Sequence, residues 1–396
     1  MKLQQNIELA YCTNVHRGNS WEETFHALEK YVLQVRDTVC PSGRFAIGLR
    51  LGVHAAKTLA DPKTLLFFQN WLEEKNCYVF TINGFPYGQF HGTRVKEQVY
   101  RPDWTDPDRL SYTILLFEIL AQLLQPGEEG SVSSLPGSFK EFHSPGKIPE
   151  SVFKNISKCA LEIERIGQAK DLDLHLGLEP EPLGSFETTP ETVAFFDQLQ
   201  AYSQTPRLND LIGVNYDCCH LAVEFENAGE GLDKLMNSGI RLSKLHLSSA
   251  LCTKPSLENL RLLDSFVEEV YLHQVVMGEK GRILGRFKDL DLAINYARSG
   301  KKECGDEWRI HFHVPLHSSP APPLGDTKQH VLDTLDWLAV NPSACSHLEM
   351  ETYTWEVLPK ELQSADVVEQ VAKEYQWTLH ESVSYTHLTL PTILLV

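Results

Sequence analysis

Positive charge is scarce in this chain: 36 Lys and Arg stand against 53 Asp and Glu, a formal net charge of −17 over 396 residues. Affinity for nucleic acid comes largely from basic side chains that neutralise phosphates, so a polyanionic partner is disfavoured. Cys-x-x-Cys spacing is missing among the nine cysteines (12, 40, 77, 159, 218, 219, 252, 304 and 345), and their odd number fits reduced, mostly buried thiols. Apolar runs long enough to cross a bilayer are absent, and Met1 to His16 lack the basic-then-apolar order of a signal peptide. A cytoplasmic protein without a transmembrane segment is therefore expected. No Pro- or Ser-rich linker divides two cores, and no repeat of about 20–50 residues appears.

What is present is alternation. Short β-rich runs at 7–12, 45–51, 77–83, 172–179, 211–217, 241–247, 309–314 and 347–352 are separated by longer helix-patterned stretches. This order predicts parallel βα units, and eight of them close a (β/α)8 TIM barrel, an α/β fold. Loop insertions account for the length, so residues 1–380 are expected to form one TIM-barrel domain. Residues 84–107, rich in Gly, Pro and aromatics, follow the third run and are expected to belong to a site; residues 126–149 show no periodic apolar signal and are expected to be a surface loop. The segment 383–396 ends in an apolar run that continues no βα unit, and it is expected to be a non-native or disordered tail.

In such barrels chemistry gathers at the C-terminal strand ends. The fourth run, HLGLEPEP, passes from an apolar strand into Glu179 and Glu181, two residues apart and so able to face one way. LIGVNYDCCH brings Asp217 to the mouth with His220 in the following turn, although an Asp at a strand end often serves only as a helix cap. RLSKLHLSS puts Lys244 and His246 on one face, and a Lys inside a barrel needs an anionic neighbour to offset desolvation. RIHFHVPLH offers His311 and His313 on one face, and HLEMETYTW offers Glu349 and Glu351, of which Glu351 lies nearer the mouth. Together Glu179, Asp217, His246 and Glu351 give three oxygen donors and one imidazole, a set suited to a divalent Mn, Mg, Co, Fe or Zn ion. In the 84–107 excursion and its approach, Asn83 and His91 could hydrogen-bond a polyol or carbonyl, Arg94 could hold an anionic group, and Phe85, Tyr87 and Phe90 could form an apolar wall.

The order LEPEP, NYDCCH, KLHLSS and EMETYTW resembles the xylose-isomerase-like TIM-barrel superfamily, over about residues 7–373. That resemblance implies metal binding by the LEPEP glutamate, Asp217, His246 and Glu351, with His220 on the substrate or a second metal. Sugar epimerases of the superfamily place a further catalytic glutamate after the first; Glu187 in GSFETT would fill that place. The run TINGFPYGQFHGTRVKEQVYRPDW, residues 81–104, is similar to one branch, the Ebo-cluster metabolite traffic proteins (EboE).

Three readings follow. A metal-dependent isomerase or epimerase would use Glu179, Glu181 or Glu187 as base, with Lys244 and His220 in catalysis and Asn83, His91, Arg94, His311 and His313 on a small-molecule metabolite. A metal-dependent hydrolase or phosphodiesterase of the endonuclease-IV-like type would instead activate water. A traffic protein would bind the metabolite without converting it, together with pathway-protein partners.

Overall fold

The computed structural model describes residues 1–89, 91–92, 94–300, 303–364 and 366–388. Eight of its strands, β1 (Glu8–Cys12), β2 (Phe45–Arg50), β3 (Cys77–Asn83), β4 (Glu129–Ser134), β5 (Asp173–Leu178), β6 (Ile212–Asp217), β7 (Leu242–Leu247) and β13 (His347–Met350), close a parallel barrel in the order β1-β13-β7-β6-β5-β4-β3-β2. Each strand alternates between two destinations. In β6 the Tyr216 hydroxyl meets His330 on the outer helix Lys328–Val340, whereas Asn215 turns inward to Glu179. Helices such as Pro107–Leu123, Glu150–Lys170 and Ala228–Asn237 cover the outside, and fully buried Leu49, Phe117, Leu176, Val214 and Leu245 fill the layer between.

Local chemistry sets several helix starts. Ser20 and Glu23 form a reciprocal capping box, and the side chains of Asp61 and Asp106 accept from backbone amides of the first turn, each followed by Pro at the first helical position.

The barrel differs from expectation at one strand. The run 309–314 is not a barrel strand; it belongs to β11 (Glu307–Val314) in an antiparallel five-stranded sheet with β8 (Ser249–Thr253), β9 (Val275–Glu279), β10 (Arg282–Phe287) and β12 (Leu324–Asp326), ordered β10-β9-β11-β8-β12. Its Trp308, Ile310, Phe312 and Val314 pack with Leu251, Leu263 and Phe266 in a core separate from the barrel's. The eighth barrel strand is β4, inside the segment expected to be a surface loop.

The reason is physical. In β4, EGSVSS, inward positions carry hydroxyls bonded to polar groups, Ser131 to Thr81 and His347, and Ser133 to Lys244. Outward, a Cβ at Gly130 would meet Leu124 Cδ1 at 2.5 Å, so the helix layer leaves no room for a side chain. Neither face therefore displays the apolar alternation that marks a strand in sequence.

The last helix, Val367–Leu388, runs through the 380 boundary and over 383–388; residues 389–396 of the expected tail lie outside the described residues, as does Phe90.

Candidate metal centre at the barrel mouth

Four strand ends converge. Glu179 follows β5 directly, Asp217 ends β6, His246 lies on β7 and Glu351 follows β13. Ligand-type atoms of these four buried residues all lie within 4.8 Å of one another.

Each carboxylate has one oxygen pinned and the other turned to the same point. Glu179 Oε2 accepts from Asn215 Nδ2 at 2.7 Å, leaving Oε1 3.4 Å from His246 Nδ1. Asp217 Oδ1 accepts from the His220 amide at 2.9 Å and the Ser248 hydroxyl at 2.7 Å, capping the helix Cys218–Val223. Its Oδ2 has no hydrogen-bond partner and lies 3.5 Å from His246 Nδ1. Glu351 Oε1 accepts from Asn14 Nδ2 at 2.6 Å, and Oε2 sits 3.0 Å from His246 Nδ1. On the far side of the ring, His246 Nε2 meets Glu349 Oε2 at 3.1 Å, and Lys244 Nζ donates to the same oxygen at 2.5 Å. A carboxylate behind a ligating imidazole fixes ring orientation and tautomer. Burial alone would lower the His246 pKa, but Glu351 and Glu179 hold it well above the ordinary value. Burial would likewise raise Asp217, yet His220 and His246 keep it well below the usual carboxylate range. The donor set, three carboxylate oxygens and one imidazole nitrogen around an unpartnered Oδ2, fits a divalent cation.

Three further imidazoles crowd beside it. His220 Nδ1 donates to the Pro180 carbonyl at 3.0 Å, His313 Nδ1 to the Glu351 carbonyl at 2.9 Å, and His311 Nδ1 to Gln274 Oε1 at 2.8 Å. These bonds turn the Nε2 atoms away from the backbone: those of His220 and His311 meet at 3.0 Å, and His313 Nε2 has no hydrogen-bond partner. Burial opposes charge on His220, but Asp217 and Glu179 raise its pKa, while burial and His220 push His311 well below. A proton or a cation therefore belongs between these nitrogens.

A cavity of about 60 Å³ opens onto this group, lined by Asn14, Asn83, Glu179, Glu181, His220, His311 and Glu351 on one side and by residues of 85–100 and 271–274 on the other. The two covering segments are tied together where the amides of Val95 and Lys96 both donate to the Val270 carbonyl at 2.9 Å.

No protein-family model and no curated protein sequence matches the chain. Solved structures do. An L-ribulose 3-epimerase superposes with a TM-score of 0.53 at 11% identity, covering 97% of this chain and 98% of that one. A D-tagatose 3-epimerase-like protein gives 0.51 at 11%, with 97% and 100% covered. A xylose isomerase-like TIM barrel protein from Mycobacterium smegmatis in complex with magnesium gives 0.50 at 11%, with 97% and 99% covered. The fold is that of the xylose-isomerase-like TIM barrels.

Within this barrel the other expected site residues fall into two groups. Glu181 lines the cavity; burial raises its pKa to about 7 although His220 and the Tyr100 hydroxyl, which donates at 2.5 Å, oppose the shift. Asn83 lines it too, with Nδ2 3.4 Å from Glu351 Oε1. His91 stands one layer back, between Tyr271 and the Asn14 carbonyl. Lys244 is locked below the centre by Glu349 and Ser133, outside the cavity lining. Glu187 is also outside: it is buried against Lys140 and Arg286, and those cations hold it away from the group. Arg94 is exposed and does not line the cavity. Sequence reasoning missed Asn14, Asn215, Tyr100, Gln274 and Tyr353. Asn14, just past β1, and Asn215, two before Asp217, carried a positional signal. Tyr100 lay in the excursion expected to belong to a site and Tyr353 in EMETYTW, whereas Gln274 carried no signal.

Proposed function

We propose that this protein is a metal-dependent enzyme that moves a proton on the carbon beside a carbonyl of a small oxygenated metabolite, an isomerase or epimerase type of reaction. One observation carries the reading: three carboxylates, each with one oxygen pinned by the protein, turn their other oxygen to His246 Nδ1 beside a cavity that Glu179 and Glu351 line. Glu179, Asp217, His246 and Glu351 would hold a divalent Mn, Mg, Co, Fe or Zn ion, whose chemistry when bound is to polarise adjacent substrate oxygens as a Lewis acid. Glu181 keeps Oε2 on Tyr100, so Oε1 is the atom placed to take the proton from the substrate carbon. His220 and His311 orient the substrate oxygens, or hold a second cation with Glu181. Phe85, Val95, Val99 and Leu272 in the cavity lining would keep water from the exchanging proton. The two epimerase-type structural neighbours agree with this class of reaction.

The hydrolase reading draws on the same imidazoles, since paired cations suit attack by water. A cavity of about 60 Å³ and a net charge of −17 count against a nucleic-acid substrate. The EboE-like traffic reading rests on residues 81–104, which supply part of the cavity wall; it differs only in the absence of turnover.

Metal analysis of protein purified without chelator is expected to find a divalent metal at one or more equivalents in wild type, lost in Glu351→Gln and His246→Ala with the fold retained by circular dichroism. Aldoses, ketoses and simpler hydroxyketones would then be incubated in D2O. Deuterium entering a substrate at the carbon beside its carbonyl supports the isomerase reading; hydrolysis of a phosphoester, or tight metabolite binding without exchange, would replace it.

A further inference from the structure

The cavity has two unlike halves. One is the carboxylate and imidazole group just described. Facing it are Phe85, Pro86, Val95, Val99 and Leu272. Polar atoms on that apolar side are already engaged: the Tyr100 hydroxyl donates to Glu181, the Tyr271 hydroxyl meets His91 Nδ1, and Lys96 Nζ donates to Asp289 at 2.7 Å and to the Glu268 carbonyl at 2.9 Å. A ligand hydroxyl turned this way would exchange water for a mostly apolar wall whose polar groups are largely spent on protein partners. Size points in the same direction. A volume of about 60 Å³ favours a compact occupant over a longer sugar chain.

Resting on the proposed function, we infer that the substrate is a short α-hydroxycarbonyl compound whose two adjacent oxygens face the carboxylate and imidazole half and whose outer substituents are alkyl. A sugar, with a hydroxyl on every carbon, would leave its outer hydroxyls against the apolar half. Val99 and Leu272 are then specificity residues, because they touch the part of the ligand in which an acyloin and a ketose differ.

Acetoin and erythrulose make a matched pair of probes: both are four-carbon α-hydroxyketones, and they differ only in the two terminal hydroxyls. Binding of Mn²⁺ alone is measured first by electron paramagnetic resonance in wild type and Glu351→Gln. Failure of wild type to bind the cation overturns the proposed function, and this inference with it. With Mg²⁺-loaded wild type, ligand-observed NMR is expected to give acetoin at least a tenfold lower Kd than erythrulose, the scale on which one mismatched group is discriminated in such a pocket. Val99→Thr, which adds a hydroxyl at nearly constant volume, should narrow that preference; Leu272→Asn should do the same if the first variant folds poorly. Erythrulose binding as tightly as acetoin, or acetoin failing to bind to cation-loaded protein, overturns the inference while leaving the metal centre intact.

Discussion

At the N-terminal mouth of the barrel, Glu129, His175 and His347 approach one another as closely as the ligand atoms at the C-terminal mouth do, within 4.8 Å. There the side chains satisfy one another. Glu129 accepts from His175 Nε2 at 3.0 Å, Arg241 at 2.7 Å and Ser346 at 2.5 Å, while Ser243 and Ser131 engage the Nδ1 atoms of His175 and His347 at 2.8 and 2.9 Å. At the C-terminal mouth, Asp217 Oδ2, His313 Nε2 and Asn14 Oδ1 are buried without a partner. An unpartnered buried polar atom costs about 1–3 kcal/mol, and a cation or ligand at this mouth would complete these three. Similar residue types thus serve stability at one end and leave an open valence at the other.

The comparison can be broken most directly at the open end. Glu351→Gln is expected to lower metal affinity by more than the roughly 10–100-fold that loss of an outer partner costs, measured by metal titration. Glu349→Gln, behind the His246 ring, should cost that ~10–100-fold itself, and leaves Lys244 buried without a counter-charge, which destabilises by ~3 kcal/mol in urea unfolding. If Glu349→Gln leaves metal affinity untouched, His246 is not oriented by it.

The satisfied end predicts the reverse split. Glu129→Gln should leave metal content unchanged and cost on the order of 1 kcal/mol, a low figure because about a third of the side chain is exposed. His347 supplies a pH signature: burial holds its pKa at about 3, against 6.5 for an unperturbed imidazole. The unfolded chain therefore takes up a proton that the folded one refuses, and the contribution of this residue to stability is present above pH 6.5 and lost as pH falls towards 3. Unfolding curves at pH 6, 5 and 4 should show a slope shallower by up to ~1.4 kcal/mol per pH unit in His347→Gln than in wild type. The smallest effect is expected from Arg94→Ala, exposed and away from the cavity: metal affinity and stability within error of wild type.

How much of this was legible before folding depended on which face of a strand spoke. Asp217 and His246 stood at the ends of apolar runs, so a polar side chain there implied a mouth position, and the two do meet. The cap reading of Asp217 and the ligand reading turn out compatible, because Oδ1 caps the helix and Oδ2 faces the group. His311 and His313 were expected as a pair on one face of a barrel strand, and the strand that carries them instead crosses the mouth in another sheet. Glu187 was offered as a further glutamate by the family resemblance; Lys140 and Arg286, distant in sequence, determine its surroundings.

By itself the sequence determined that strands and helices alternate, that their number suits a closed barrel, and that carboxylates and imidazoles end several strands, since periodicity and strand termini are local properties. Tertiary structure decided that EGSVSS is a barrel strand, that 309–314 is not, and which oxygen of each carboxylate is left free. Those outcomes depend on which side chains face one another across the barrel, and a linear pattern does not carry that information.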